Sequence, residues 1–223
     1  MSRKWLGVVA MLVVSCVSGA VTVGAHHPDA SIAGPRQMPS VDLAAVRHVD
    51  AKTSVDIQMA LAESAGPAVG GAATIYVLGE TGYRRVREGT NGFSCLVTRQ
   101  RVDTVEPECY DREGSATTLK ARLYVEEQRA KGKSDKAIDL EMEAAYTAGR
   151  LIAPRKPGLV YMMSDYNYVL DPDSGHVIHF PGHLMFYAPY ATPQDVGTGP
   201  GAPFLVNPGR PDALMIVVPA PHR

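Results

Sequence analysis

The hydrophobic pattern changes period several times along the chain, and each change marks a predicted element. Trp5 to Val14 is an almost unbroken apolar run, and small or apolar residues continue to Val23. Residues 26–40 lose all periodicity. From Val41 to Ala65 apolar residues recur three or four positions apart, as in Val46 and Val49 or Val55 and Met59. That spacing predicts one or two helices, opened by Ser40 and ended by Gly66-Pro67. Thr74 to Leu78 is a run of strand formers, Tyr83 to Glu88 a second strand and Phe93 to Thr98 a third. Gly79 to Gly82 reads as a turn and Asn91-Gly92 as a hairpin turn, because both residues tolerate positive φ. The three strands therefore predict an antiparallel meander. Its first strand is apolar on both faces, which places it centrally under a helix.

Residues 99–118 are polar and unperiodic and read as an excursion from the sheet. Leu119 to Ala130 and then Ile138, Met142, Ala145 and Tyr146 make two amphipathic helices, the second capped by Ser134 and stopped near Gly149. Short β signals return at 159–163, 166–170, 177–180, 184–187 and 213–218. Asp171 to Gly175 reads as a turn, and the Gly- and Pro-rich residues 191–211 as a long surface loop. The order of helix, strands, helices and strands predicts an α+β fold: a mostly antiparallel sheet with helices packed on one face.

The N-terminal pattern changes the picture of where the chain resides. Arg3 and Lys4 precede the apolar run, no acidic residue occurs before Asp29, and Val23-Gly24-Ala25 supplies small or apolar residues for cleavage. This is the layout of a secretory signal peptide, residues 1–25. The strongly apolar core is too short to span a bilayer, which needs about 20 residues. An alternative is lipid anchoring, since Val13-Val14-Ser15-Cys16 resembles a lipoprotein box with Cys16 as the acylated residue. Cleavage after Ala25 leaves 198 of the 223 residues: a flexible leader over 26–40 and a single domain over 41–223. The signal holds two of the 22 basic residues and none of the 23 acidic ones, so the mature charge is −3 with His neutral. That balance gives no general attraction to nucleic acid or anionic lipid. No second apolar run is long enough to cross a membrane, so the expected location is the periplasm or the exterior.

Export also bears on the cysteines. Cys95 and Cys109 are the two that survive signal removal, and in an oxidising compartment a pair fourteen positions apart is expected to form a disulfide. The alternative is a thiol nucleophile at Cys95 working with His179 or His183, although Ser94 and Leu96-Val97 stand where papain-like cell-wall peptidases carry Asp and Ser-Gly. His176, His179 and His183 invite a metal reading, because neutral imidazole binds zinc and copper. On a strand His176 and His179 point to opposite faces. The order Pro181-Gly182 suits a type II turn, which makes His179 and His183 the candidate metal pair. Two ligands fall short of a complete zinc site. Arg84, Arg85, Arg87, Arg99 and Arg101 are a candidate anion cluster, and Tyr161, Tyr166, Tyr168, Tyr187 and Tyr190 candidate groove residues. Asp171 to Gly175 fails as a calcium loop, since Gly175 and His176 occupy ligand and glycine positions. No nucleotide, haem or hydrolase motif is present, and no cofactor is expected.

The segments Tyr76-Val77-Leu78, Arg87 to Phe93 with Cys95, and His183 to Tyr190 are similar to a group of exported bacterial proteins with no assigned activity. The likeness runs from about residue 60 onward. It implies one exported domain and no particular reaction. The expectation is an envelope protein with a binding or structural role; a cysteine hydrolase acting on envelope material and a metal-binding protein are the alternatives.

Overall fold

The structure is a computed structural model that describes residues 42–217. The predicted signal, its cleavage point, Cys16 and the leader lie outside those residues.

An eight-stranded sheet forms the frame, in the order β2-β1-β3-β4-β5-β8-β10-β9. Its strands are β1 (Thr74–Gly79), β2 (Gly82–Arg87), β3 (Ser94–Thr98), β4 (Glu106–Tyr110), β5 (Leu159–Met162), β8 (His183–Tyr187), β9 (Phe204–Val206) and β10 (Leu214–Ile216). A separate hairpin, β6 (Tyr168–Leu170) with β7 (Val177–His179), is tied to the frame through a Val105–Tyr168 bridge. The helices are α1 (Val55–Ser64), α2 (Arg112–Ala116), α3 (Thr118–Ala130), α4 (Asp135–Thr147) and α5 (Pro193–Val196). The α+β class and the mostly antiparallel sheet agree with the sequence. No helix among the described residues is long and apolar enough to cross a membrane.

Helical cover is divided between the two faces of the sheet. Helix α1 starts at Ser54, whose Oγ accepts from the Ile57 amide at 3.3 Å. Its Ala60, Leu61 and Ala62 pack with Ile75, Val77, Cys95, Val97 and Cys109. The buried Gln58 pins this helix to β1, accepting from the Leu78 amide at 2.7 Å and donating to the Leu78 carbonyl at 3.1 Å. Strand alternation sends Leu96 and Tyr110 the other way, where they join Leu119 and the half-buried Leu123 of α3. Helix α4 docks on α3 through Ile138, Met142 and Ala145 against Ala121.

Three expected elements need correction. The first is the meander: β1 pairs antiparallel with β2 but parallel with β3, Ile75 facing Cys95. The Asn91-Gly92 segment is therefore a crossover and not a hairpin turn. It runs across the start of β1, with the Thr90 amide on the Ala72 carbonyl, the Thr74 amide on the Phe93 carbonyl and Asn91 Nδ2 on the Val69 carbonyl at 2.8 Å. Gly92 does take positive φ, at 80°. The second is the polar excursion: its residues 106–110 are β4, buried at every position in the middle of the sheet. Glu106 and Glu108 disguise the strand because they face a cavity under α3 instead of bulk solvent. The third is the surface loop at 191–211, which contains α5 and the edge strand β9, paired with β10.

Candidate ligand-binding cavity

The face of the sheet opposite α1 carries the unusual chemistry. Sheet register places Leu96 opposite Glu108, Thr98 opposite Glu106, Met162 opposite His183 and Val160 opposite Met185. Thr98, Glu106, Glu108, Met162, His183 and Met185 form a floor over the buried Leu96 and Val160. Helix α3, the β6–β7 hairpin and β9 border it, leaving a partly open cavity of about 660 Å³. The walls from the hairpin and β9 are largely apolar, with Val169, Leu170, Ile178, Phe180, Phe204 and Leu205. The hairpin is held in place where the Leu170 amide donates to Gln100 Oε1 at 3.0 Å.

Two carboxyl groups rise from the floor. Glu106 and Glu108 are only 6% and 3% exposed. Two residues apart on one strand, they share a face with their backbones about 7 Å apart. Glu106 accepts a single backbone hydrogen bond, from the Gln100 amide to Oε1 at 2.9 Å. Burial, and then the neighbouring Glu108, push its pKa up from 4.5 to about 7. Glu108 is better served: the Tyr110 hydroxyl donates to its Oε2, and Arg122 Nε reaches that hydroxyl at 3.4 Å. Burial, with Glu108 next, holds the Tyr110 phenol well above its ordinary range, so it stays a donor. Glu126 on α3 is likewise buried, and its two oxygens meet Arg129 at 2.6 Å and Arg99 at 3.3 Å.

His183 completes the floor. Its Nδ1 lies 2.8 Å from the Pro181 carbonyl. A carbonyl only accepts, so Nδ1 carries the proton and Nε2 presents a lone pair. Nε2 is buried and has no hydrogen-bond partner among the described residues. Burial lowers the imidazole pKa, and the ring packs edge-on against Phe180 with centroids 4.6 Å apart. At neutral pH it is therefore a neutral acceptor, buried beside the cavity without a partner among the described residues.

The residues singled out from sequence have separate fates. Cys95 and Cys109 form the expected disulfide, directly opposite each other on β3 and β4 and fully buried toward α1. With Sγ of Cys95 bonded in this way there is no thiolate at that position. His179 is exposed on β7, with Nε2 3.0 Å from the Asp165 carbonyl and its ring against Tyr168. His183 lies in the other sheet. The expected type II turn between them does not form, because Gly182 does not take positive φ and packs against the Met163 backbone. No group of three or more His, Cys, Asp or Glu side chains converges as a metal site among the described residues.

The arginine cluster is dispersed. Arg87 bonds Glu63 and the Ala73 carbonyl, Arg85 pairs with Glu88, and Arg101 with Asp103. Of the tyrosines, Tyr161, Tyr166 and Tyr168 pack beside the α1 core, and Tyr187 donates to Asp111 at 2.9 Å.

Glu106, Glu108, Tyr110 and Arg122 were not legible as a site. The available signal was the alternation of Glu106, Glu108 and Tyr110 on one strand face. It is recognisable only once 106–110 is known to be a strand. The chain matches no protein-family model, no curated protein and no solved structure.

Proposed function

We propose that the chain is an exported small-molecule-binding protein whose ligand occupies this cavity. The observation that carries the reading is a partly open cavity with largely apolar walls and a floor of two buried carboxyl groups beside an unpartnered imidazole nitrogen. Its volume falls within the roughly 300–1,000 Å³ typical of small-ligand sites. Leaving Nε2 of His183 unpaired is unfavourable by about 1–3 kcal/mol unless a ligand donates to it. Apolar walls over a polar floor select an amphipathic ligand. Export is supported by the signal-like N-terminus, and the buried disulfide fits an oxidising location.

Binding is tested by calorimetry and thermal unfolding of the oxidised protein with short amphiphiles such as n-octanol, n-octanoate and n-octylamine. A ligand at about 100 times its Kd adds roughly 2.7 kcal/mol of stability. Ile178→Trp, which fills the space from the hairpin wall, should abolish binding while leaving the unliganded melting temperature nearly unchanged. Equal binding by that variant, or no binding by any of the three amphiphiles, removes the proposal.

A second reading is favoured by one observation. A carboxyl group with a pKa near neutrality lines the same cavity as a neutral imidazole, which are the components of an acid–base pair. Turnover of a bound ligand that is lost in Glu106→Gln while binding persists would identify it.

A further inference from the structure

We infer that the polar end of the ligand is an organic cation, an alkylammonium or amidinium group held by Glu106 and Glu108, with Nε2 of His183 accepting a further N–H or O–H from the same ligand. This rests on the binding reading of the cavity and specifies its ligand class.

The balance of donors and acceptors on the floor points that way. Every arginine that lines the cavity already has an internal partner. Arg99 and Arg129 both bond Glu126, and Arg129 also reaches Asp135 at 3.0 Å. Arg122 serves the Tyr110–Glu108 pair. An anionic headgroup at Arg99 or Arg129 would have to take the guanidinium group from the buried Glu126. Acceptor capacity remains at Glu106, served by the Gln100 amide and the Thr104 side chain, and at His183 Nε2, which has no partner among the described residues; the carboxylates of the lining outnumber its arginines. A carboxylate or phosphate would set lone pairs against lone pairs there, whereas an ammonium group supplies three donors.

The charge around the cavity agrees. Its lining includes Glu106, Glu108, Glu126, Asp171 and Asp173 against Arg99, Arg122 and Arg129. Asp173 is exposed on the β6–β7 turn, where it gives the rim an acidic edge.

Cation binding is then linked to a proton on Glu106. The charged and titratable groups facing that carboxyl are Glu108 on its own strand, Tyr83 on β2, Arg99 after β3, Arg122, Glu126 and Arg129 on α3, His183 on β8, and Asp171 and Asp173 on the hairpin. Below the Glu106 value of about 7 the cation must displace a proton, and above it the carboxylate is ready. Affinity for a permanently charged ligand therefore falls about tenfold between roughly pH 8 and pH 6.

The test is calorimetric titration of the full exported, oxidised chain with n-octylammonium, n-octanol and n-octanoate at the two pH values. Octylammonium should bind at least about tenfold tighter than either chain-matched control at pH 8. It should lose about tenfold at pH 6, and Glu106→Gln should weaken it and flatten the pH dependence. Octanol or octanoate binding as tightly as octylammonium overturns the cation but leaves the cavity reading standing. So does a pH-independent octylammonium affinity in the unsubstituted protein, a measurement that needs no variant to fold. Silence of all three ligands removes both.

Discussion

Glu106 is the residue whose position is hardest to explain by stability alone. A carboxyl group buried with another carboxyl beside it favours its protonated form despite hydrogen bonds from the Gln100 amide and the Thr104 side chain, and its pKa is pushed up to about 7. The folded value lies above the unfolded one, so between about 4.5 and 7 the folded chain holds a proton that the unfolded chain has released. Its contribution is complete below that window and lost as pH rises through it, a change on the order of 3 kcal/mol. Glu106→Gln keeps an acceptor for the Gln100 amide and removes the charge. Denaturant unfolding of this variant at pH 8 should give a stability above that of the parent, and the difference should vanish near pH 4.5. Equal stability at both pH values would show that Glu106 is not desolvated. Tyr110 is the opposite case. Tyr110→Phe removes the donor from Glu108 Oε2 and a neighbour from Arg122, and is expected to destabilise by about 1–3 kcal/mol in the same assay.

At the scale of elements, β4 explains both what the sequence revealed and what it hid. Its two faces meet different surroundings: Cys109 packs under α1, while Glu106 and Glu108 face the cavity and Tyr110 the apolar core beside α3. A period-2 pattern in which the second face is polar but buried looks like an exposed segment, so the strand was not legible. The amphipathic helices α3 and α4, and strands β1, β2, β3, β5, β8 and β10, were legible because each has an apolar face against an apolar core. The β1–β2 pairing was legible, but the partner of β3 was not. Whether the segment after β2 turns back or crosses over depends on contacts from Thr90 and Asn91 to Ala72 and Val69, residues far from it in sequence. Gly89 makes that crossing possible. A Cβ there would run into the Thr74 amide and the Ala73 and Ala72 backbone, so Gly89→Ala should destabilise strongly while Gly132→Ala, with nothing near its Cβ, should show only the smaller cost of its positive φ. The β3–β4 hairpin is closed by the disulfide, with 14 positions separating the cysteines. Loop-closure entropy for about 15 residues is worth roughly 3 kcal/mol. Cys95→Ser and Cys109→Ser should lower stability by similar amounts, with little further loss in the double variant.

For the whole molecule, the features converge on an oxidising destination. The disulfide is fully buried between a central hairpin and α1, so it must form before or during the final packing of that core. On the proposed export, the N-terminal pattern of Arg3, Lys4 and the apolar run would bring the chain to an oxidant at the time of folding. This joins the two ends of the sequence reading in one measurement. Chain recovered from the exterior or periplasm of an exporting host should have the intact mass of residues 26–223 less about two mass units for the pair of thiol hydrogens. It should resist alkylation until it is both unfolded and reduced. The same chain made without residues 1–25 in a reducing cytosol should carry two thiols, which alkylate on unfolding alone. It should melt at a lower temperature by the amount seen in the cysteine variants, since both lose the same constraint on the unfolded state. An N-terminus at an acylated Cys16, with the protein in the membrane fraction, would instead establish lipid anchoring. Free thiols in exported protein would separate the disulfide from the export route and reopen Cys95 as a reactive group.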